Sequence, residues 1–401
     1  MSDTSVLEII LYILLIELLL YLISMSRSGR EFLSKIGLEV SVFTILIKKR
    51  GGLDLLDRIR GGRKSILLFR AGVIVMFVSI VLFYATVYLI GVNYVITFIN
   101  SFLNPSTERL GPPPVAPIIP GITITGVDIV YLLIAIGISV AFHELGHAIA
   151  SKTHDVPLKS YGAGIFLIMP LAFVEVDDER MMSDKRVATR ILSAGVLFNM
   201  ILFLISLAII LSILWISPLL GVIQGAVIAS VEPDSPAYRA GIRPGLLITS
   251  VNGSTIYTLD NFLPYRMLIS SPETLYLNIT GVYPNGSVLR TIVYKPSNAT
   301  RIGVVFDGVY IPIVGFFTGA LIIPTSSSYV RLWLLEDLLR LMVWMMIINI
   351  SLAVVNAAPL YITDGGKILS LYLSKRASNI IQMITVVGFA MIFTVSLLFY
   401  L

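Results

Sequence analysis

The sequence AFHELGHAIA, residues 141–150, contains two histidines and a glutamate at the spacing of a metal site. His143 and His147 are four residues apart, so on a helix both imidazoles lie on one face, as two ligands of a single Zn²⁺ require. Glu144 lies beside them, where its carboxylate can take a proton from a metal-bound water. Since the chain has no cysteine, any metal must be bound by His, Asp or Glu. The motif therefore predicts a zinc site.

These ionisable residues lie near one end of an apolar run, residues 128–151, that is long enough to span a membrane. Ionisable groups at membrane depth are costly and usually functional. Without a metal, two histidines and Glu144 buried in a span would be unfavourable by several kcal/mol. The position of the motif therefore favours a metal site over a chance occurrence.

A catalytic zinc usually has three protein ligands and a water, so a third ligand is expected. His154 follows His147 by seven residues and is predicted to be an interfacial residue just beyond the helix end. Asp364, in NAAPLYITDGGK (356–367), is the favoured candidate, although Asp-Gly-Gly is also a turn sequence. The spans that precede Asp364 and contain HELGH are predicted to run in the same direction, which would place both near the cytoplasmic side.

The composition indicates an integral membrane protein. Of 401 residues, 56% are apolar and 13% are charged, against about 45–50% and about 25% in soluble proteins. We therefore predict a polytopic α-helical protein of the cell membrane with about six transmembrane helices, the first a signal anchor. The apolar runs lie roughly at 5–25, 71–98, 128–151, 191–217, 341–360 and 377–401.

The basic residues follow a topology pattern, which argues against a nucleic-acid partner despite the formal charge of +5. Segments 27–70, 152–190 and 367–376 contain 11, six and three of the 29 Lys and Arg, whereas 218–331 contains seven over more than a hundred residues. By the positive-inside rule the first three segments are cytoplasmic. Both termini and the segment 218–331 are then expected to be extracytoplasmic.

The N-terminal region, residues 1–98, is predicted to contain two membrane helices joined by the cytoplasmic basic segment 27–70. Within that segment, VSVFTILI (40–47) predicts a strand, and the basic run 48–64 predicts a short amphipathic helix on the anionic inner leaflet. The Pro-rich residues 104–121 cannot form a helix. Residues 99–127 are therefore predicted to be an external connector.

Two further segments are predicted to be non-helical. YGAGIFLIMPLAFVEVDDE (161–179) is too short and too rich in Gly to span, and predicts one or two strands at the membrane edge, with a solvated acidic end. Residues 222–302 alternate short β-rich runs with turns, and SPAYRAGI predicts a short helix, as in a small inserted α+β domain. Residues 303–330 are predicted to connect this domain to the membrane.

The inserted domain carries four Asn-x-Ser/Thr sequons, at Asn252, Asn278, Asn285 and Asn298. Such acceptors are useful only outside the cytoplasm, so they agree with the side predicted from the basic residues. The sequence alone does not decide whether these asparagines are glycosylated.

HELGH in one span, SAGVLFN (193–199) at the start of the next, the inserted domain and NAAPLYITDGG together resemble the site-2 protease family of intramembrane metalloproteases, in its archaeal form. The resemblance covers about residues 125–370. It divides the catalytic membrane core into residues 128–217 and 331–401. It also likens the apolar strands near 164–176 to the family's β-element, whose edge would pair with an unwound substrate.

The resemblance implies His143, His147 and Asp364 as ligands of one Zn²⁺ per chain, with Glu144 as the catalytic base. It further implies that Asn356 helps to hold the substrate backbone and that Asn199 belongs to the motif on the neighbouring helix. In the family that second motif commonly has Pro after its Gly, where this chain has Val196.

VEPDSPAYRAGIRPGLLITSVNG (231–253) is similar to protease-associated PDZ domains, which implies a PDZ-like fold over 222–302. Such domains often have Asp after Pro-Gly, where this chain has Leu246. The resemblance leaves two roles open: binding of a peptide tail, or steric exclusion of bulky substrate ectodomains.

The expected activity is zinc-dependent hydrolysis of a peptide bond inside or beside a transmembrane segment of a protein substrate in the lipid bilayer. One alternative is a membrane zinc protease that acts on soluble or lipidated peptide termini. Another is a non-catalytic receptor or scaffold that works through its PDZ-like domain. A transporter is disfavoured because the chain shows no repeated halves.

Overall fold

The computed structural model describes residues 3–51, 62–103, 113, 117–124, 126–256, 261, 273–311 and 316–399. The chain divides into two compact units, Met1–Ile205 with Trp344–Leu401, and Ser206–Val343. The Pro-rich segment 104–121 is described only at residues 113 and 117–121, which are non-helical as expected, whereas residues 99–103 of the predicted connector 99–127 belong to the helix Leu89–Leu103.

Long apolar helices dominate the described chain. A π-helical turn, Phe83–Tyr88, joins α3 to α4. The helices are α1 (Asp3–Met25), α2 (Arg27–Lys35), α3 (Arg63–Leu82), α4 (Leu89–Leu103), α5 (Asp128–Thr153), α6 (Asp178–Met182), α7 (Lys185–Ile216), α8 (Pro236–Arg239), α9 (Trp333–Ala357), α10 (Asp364–Tyr372) and α11 (Lys375–Leu398).

Five helical segments of the described chain are long and apolar enough to cross a membrane: Arg63–Ser101, Asp128–Thr153, Lys185–Leu220, Trp333–Ala357 and Lys375–Leu398. They confirm a polytopic membrane protein and five of the six predicted spans. The predicted first span, 5–25, corresponds to α1. A sixth crossing is obtained only if its residues Leu11–Met25 count as one span with α2, from which they bend by 115°. Large apolar side chains on these helices, such as Leu67, Ile74 and Phe77, are exposed, as lipid-facing residues are.

A four-stranded antiparallel sheet in the first unit combines two hairpins that are far apart in sequence. Its order is β1 (Leu38–Ser41), β2 (Thr44–Arg50), β3 (Leu158–Phe166) and β4 (Met169–Val176). β structure is confirmed at 40–47 and within 161–179, but 40–47 contains parts of two strands with a turn at Val42 and Phe43 instead of the one strand predicted. The joining of the two hairpins through β2 and β3 was not predicted. The run 48–64 contributes to β2 and α3, and the amphipathic helix predicted there falls largely on residues 52–61, outside the described chain.

Glycine allows the two hairpins to approach closely. A Cβ placed at Gly162 would lie 2.6 Å from the ring of Phe173 and would collide with the carbonyl oxygen of Ile47. At one end of the sheet, Leu167 N donates to Phe43 O at 2.8 Å. Phe43 and Phe166, at the two hairpin turns, are 56% and 48% exposed, which suits contact with lipid rather than water.

The acidic end of the second hairpin is solvated, as predicted. Glu175 is exposed and accepts a hydrogen bond from Ser160, and Lys48 lies 3.2 Å away. These two partners lower the pKa of the Glu175 carboxyl. Asp177 caps α6 by accepting from Arg180 N. The acidic residues therefore serve the sheet and the following helix.

The second unit is mainly β structure around two buried apolar clusters, and the larger one contains Ile242, Ile248 and Leu277. Its strands are β5 (Ile223–Gly225), β6 (Ile228–Val231), β7 (Leu247–Val251), β8 (Ser254–Thr255), β9 (Leu275–Val282), β10 (Val288–Lys295), β11 (Val304–Phe306), β12 (Tyr310–Ile311), β13 (Phe316–Phe317), β14 (Ala320–Pro324) and β15 (Tyr329–Arg331). The described sheets have the orders β10-β9-β7-β8, β11-β6, β12-β13 and β15-β14-β5. Ile242, Ile248 and Leu277 are fully or almost fully buried in the larger cluster.

The short helix predicted at SPAYRAGI is confirmed as α8, where the Ser235 side chain accepts from Tyr238 N. Residues 303–330, predicted as a connector, instead contribute strands to this unit, with β11 paired to β6 and β14 to β5. The apolar residues of 303–330 must be shielded from water just as those of 222–302 must, and pairing with strands of 222–302 shields them. Leu246 is completely buried in the core, which accounts for an apolar residue after Pro-Gly. The PDZ-like assignment of 222–302 stays a prediction.

Candidate metal centre

The two histidines of HELGH project from one face of α5 into a buried space. His143 and His147 are 7% and 9% exposed. Their Nε2 atoms lie 3.1 Å apart, and their rings meet edge to face. This is the arrangement that the four-residue spacing predicts, since such residues stack on one side of a helix.

Asp364 reaches the same point from the start of α10. Thr363 caps this helix by accepting from Gly366 N, and its hydroxyl donates to Ala358 O at 2.6 Å. Gly365 and Gly366 allow the chain to turn back on itself, because a Cβ at either would collide with the carbonyl oxygen of Ala357 or Leu360. The tight turn brings Asp364 Oδ2 within 3.2 Å of Nε2 of both histidines.

Hydrogen bonds fix which nitrogen of each imidazole carries the proton. His143 Nδ1 lies 2.5 Å from Asn199 Oδ1, and His147 Nδ1 lies 2.8 Å from Ile191 O. Both partners are acceptors, so each Nδ1 is the N–H donor, and in the neutral imidazole each Nε2 then carries a lone pair. Both lone-pair nitrogens face the carboxylate oxygen of Asp364.

Three atoms with lone pairs therefore converge: the two Nε2 atoms and Asp364 Oδ2. Asp364 Oδ2 is buried and accepts no hydrogen bond from the described chain. The mutual distances of the three atoms are 3.1–3.2 Å. Ligand atoms of a tetrahedral zinc with bonds of about 2.0–2.1 Å lie about 3.3–3.4 Å apart. The donor set and its spacing fit one Zn²⁺ with a fourth position left for water.

Helix α7 approaches the histidines so closely that only glycine fits at the crossing. A Cβ at Gly195 would lie 2.5 Å from His143 Nε2 and 2.7 Å from His147 Nε2. On the opposing helix, a Cβ at Gly146 would lie 2.6 Å from Ala194 O. This explains the Gly of SAGVLFN. Val196 is completely buried beside Met76 and Ala353, so the position that commonly holds Pro is here a packing residue.

Asn349 is a polar residue of the centre that the sequence analysis missed. Its Oδ1 accepts from Asn199 Nδ2 at 2.9 Å, and its Nδ2 donates to Ser139 Oγ at 2.8 Å. Asn199 Nδ2 also donates to Ser139 O, so Asn199 Oδ1 is left to face His143. Asn349 and Asn199 are both completely buried. The only signal in the sequence is a strongly polar residue inside an apolar span.

Glu144 lies on the adjacent side of α5 and is only half-buried. Its Oε2 accepts from Val174 N at 2.8 Å, which ties it to the outer edge of β4. The ligand atoms of His143, Glu144 and His147 all lie within 4.8 Å of one another. Glu144 also lines a cavity of about 440 Å³ whose other walls include Ala141, Leu145 and Phe173. The carboxylate thus faces both the metal centre and an accessible, mostly apolar groove.

The remaining residues singled out from the sequence lie elsewhere or stay untested. His154 bonds to Ala150 O and Arg190 instead of joining the cluster. Asn356 is half-buried near the end of α9, and no hydrogen bond of its side chain occurs within the described chain.

Two acidic residues of the spans lie outside the metal centre. Glu336 pairs with Arg331, at 2.5 Å, because β15 brings that guanidinium to the start of α9. Glu17 is buried, and its carboxylate oxygens have no hydrogen-bond partner in the described chain.

The family model described as Peptidase family M50 matches residues 131–398 of this chain. This range contains the HELGH helix, the second unit and the turn that carries Asp364.

Three relatives show how far the similarity extends. An uncharacterized protein of Methanocaldococcus jannaschii is 33% identical over 148 residues, which cover 37% of this chain and 38% of the relative. A protein of Clostridium acetobutylicum, provisionally named a zinc metalloprotease, is 22% identical over 202 residues, which cover 43% of this chain and 55% of the relative. A protein of Clostridium perfringens with the same kind of name is 30% identical over 159 residues, which cover 33% of this chain and 45% of the relative. The chain thus spans about two fifths to just over half of the length of these relatives.

Replacing Gly195 by Ala should disrupt metal binding without unfolding the helices. The new methyl group would occupy space within 2.7 Å of both Nε2 atoms, so the rings or the helix must move. Zinc content of the detergent-purified protein should fall several-fold. Gly137→Ala, on α5, is the matched control, because its Cβ would meet its nearest neighbour at an ordinary 3.4 Å. Equal zinc content in the two variants would contradict this description of the crossing.

Replacing Asn349 by Ala should weaken zinc binding about 10–100-fold, the usual cost of losing a residue that orients a ligand. The Asn199 amide would lose an acceptor and could rotate, so that His143 Nδ1 no longer faces an oxygen. Competition with a chromophoric chelator measures the affinity. Asn379→Ala, at an exposed asparagine of α11, should leave it unchanged. If Asn199→Ala lowered the zinc affinity and Asn349→Ala did not, the positioning role of Asn349 would be excluded.

Proposed function

Because the chain belongs to peptidase family M50, we propose that it is a membrane zinc metalloprotease that cleaves transmembrane or membrane-proximal segments of protein substrates. The observation that carries the proposal is the convergence of His143 Nε2, His147 Nε2 and Asp364 Oδ2 in a buried space. These three residues would hold one zinc per chain. When bound, zinc polarises the scissile carbonyl and lowers the pKa of water at the open position towards about 7.

Glu144 is the general base in this proposal. Its Oε2 is held by Val174 N, which leaves Oε1 to take a proton from the attacking water. The same carboxyl then gives the proton to the leaving amide nitrogen, which must be protonated before the peptide bond breaks. A half-buried carboxylate beside a groove suits this role, since both water and substrate must reach it.

Asn199 and Asn349 act through the metal ligands. The chain of hydrogen bonds from Ser139 through Asn349 and Asn199 to His143 keeps Nδ1 as the donor and Nε2 as the ligand atom. The carbonyl of Ile191 does the same for His147. Asn356, whose side-chain amide makes no hydrogen bond within the described chain, is assigned to the substrate backbone as a further part of this proposal.

The edge of β4 would bind an extended substrate segment. β4 pairs with β3 on one side only, and Val174 N points away from β3 towards Glu144. By the alternation along a strand, Ala172 presents its N–H and C=O to the same edge. A substrate that paired there would run past Glu144, beside apolar groove walls suited to a membrane segment. A helical segment must unwind first, because its backbone groups are already paired.

The proposal also includes the side of the membrane on which each part of the chain lies. Spans α5 and α9 would both run inward and place the metal centre near the cytoplasmic face, where water is available. The basic segments 27–70, 152–190 and 367–376 support this placement. The PDZ-like domain would lie outside, where it would bind a peptide tail or exclude bulky ectodomains.

The receptor or scaffold alternative is not favoured, because such a protein has no need of a general base beside three converging ligand atoms. The complete set of His143, Glu144, His147 and Asp364 is present and assembled or adjacent in space.

Glu144→Gln should abolish cleavage and leave zinc binding intact. The amide has nearly the same shape but cannot accept the proton, and Glu144 is not among the three converging ligand atoms. The assay is cleavage of a model transmembrane substrate in proteoliposomes, with zinc measured in the same samples. Glu175→Gln, at an exposed glutamate on β4, the strand that holds Glu144, is the matched control and should retain activity. Cleavage by Glu144→Gln at the wild-type rate would rule out its role as base.

Asp364→Ala should lower zinc content far more than His154→Ala. Asp364 Oδ2 is 3.2 Å from both Nε2 atoms, whereas His154 bonds to Ala150 O and Arg190. Losing one of three protein ligands leaves a two-histidine site that exchanges its metal readily. Zinc is measured after dialysis against a weak chelator. Similar zinc contents in the two variants would mean that another residue is the third ligand.

A further inference from the structure

The inserted domain is enriched in a modification motif that the proteolytic function does not use. Four of the five asparagines between residues 222 and 302 begin an Asn-x-Ser/Thr sequence, against one of the seven elsewhere. All four, Asn252, Asn278, Asn285 and Asn298, are exposed. The one elsewhere is Asn349, which is buried in a span. Within the inserted domain, every asparagine that begins the motif is thus accessible at the surface.

Asn285 has the most favourable setting of the four. It lies in the turn between β9 and β10, which Tyr283 N closes by donating to Ser287 O at 2.9 Å. Ser287 N and Ser287 Oγ both donate to Asn285 Oδ1, at 3.0 and 2.7 Å. The hydroxyl of the motif is therefore already held against the amide of the asparagine.

The reactive atom of Asn285 is available. Within the described chain, Asn285 Nδ2 makes no hydrogen bond, and the residue is exposed at the tip of a hairpin. A turn can also enter an enzyme active site with the loss of only a few local hydrogen bonds.

Three of the other sequons are more constrained. Asn278 lies on β9, an inner strand with paired neighbours on both sides. Asn252 Oδ1 accepts from Asn278 N at 2.9 Å, so that side chain links two strands. Asn349 has both side-chain atoms engaged in the metal centre. These differences rank Asn285 above Asn252 and Asn278 and exclude Asn349, and Asn285 differs from Asn298 in that the hydroxyl of its own motif bonds to its amide.

We propose that Asn285 is an N-glycosylation site on the extracytoplasmic side of the membrane. The donor would be an oligosaccharide linked to a lipid phosphate or pyrophosphate. A bond forms between Asn285 Nδ2 and C1 of the first sugar, the bond from C1 to the phosphate oxygen breaks, and the lipid phosphate or pyrophosphate leaves. The Nδ2 proton passes to a base of the transferase. The proposal rests on the predicted side of the inserted domain and not on proteolytic activity.

The experiment is mass spectrometry of glycopeptides from the full chain, expressed in a cell with an oligosaccharyltransferase and purified from its membranes. The peptide with Asn285 should carry a glycan. Asn285→Gln and Ser287→Ala should both lose it, whereas Ser287→Thr should keep it because the hydroxyl is retained. The peptide with Asn349 should have its unmodified mass, which provides an internal control with the same motif.

A second measurement separates the two ways in which the proposal can fail. Protease is added to intact cells, and cutting within the inserted domain is assayed. An unmodified Asn285 in a domain that is cut overturns the glycosylation site and leaves the topology standing. An unmodified Asn285 in a protected domain overturns both. Cleavage of a model substrate by the same preparation tests the proposed protease activity independently of either result.

Discussion

The structure of the first unit is organised around three acceptor atoms that face one another without a donor. His143 Nε2, His147 Nε2 and Asp364 Oδ2 lie within 3.2 Å of one another in a buried space. Such a cluster is unfavourable unless a cation is bound. Three features of the unit suit such a cation: the close helix crossing at Gly195, the tight turn at Gly365 and Gly366, and the asparagine pair behind His143. Each either makes room for the cluster or fixes its orientation.

The general base is positioned by a different part of the chain. Glu144 is bonded to the edge of β4, and β4 belongs to a sheet whose first two strands, β1 and β2, come from residues 38–50. The N-terminal hairpin therefore supports the strand that holds the base, through β2 and β3. The same strand edge borders the apolar groove. This connects binding of an extended segment to the location of proton transfer, because a substrate on β4 necessarily passes the carboxylate.

Local features of the site followed from the sequence, and distant pairings did not. The spacing of His143 and His147 determines their common face on any helix, and the order of basic segments put Asp364 at a matching depth. The role of Asn349 depends on three helices meeting, which no periodicity shows. Likewise, β2 joins β3 across more than a hundred residues. The strands in 303–330 are two to five residues long, too short to give a clear alternation.

In the proposed site, two imidazoles and one carboxylate converge on a single zinc. X-ray absorption at the zinc edge, recorded on the zinc-loaded full chain in detergent, reports this coordination. We expect one tightly bound zinc per chain, with only nitrogen and oxygen neighbours and the multiple scattering of two imidazoles. Three imidazoles, which would require His154, or zinc that is removed by mild chelation and shows no imidazole scattering, would contradict it.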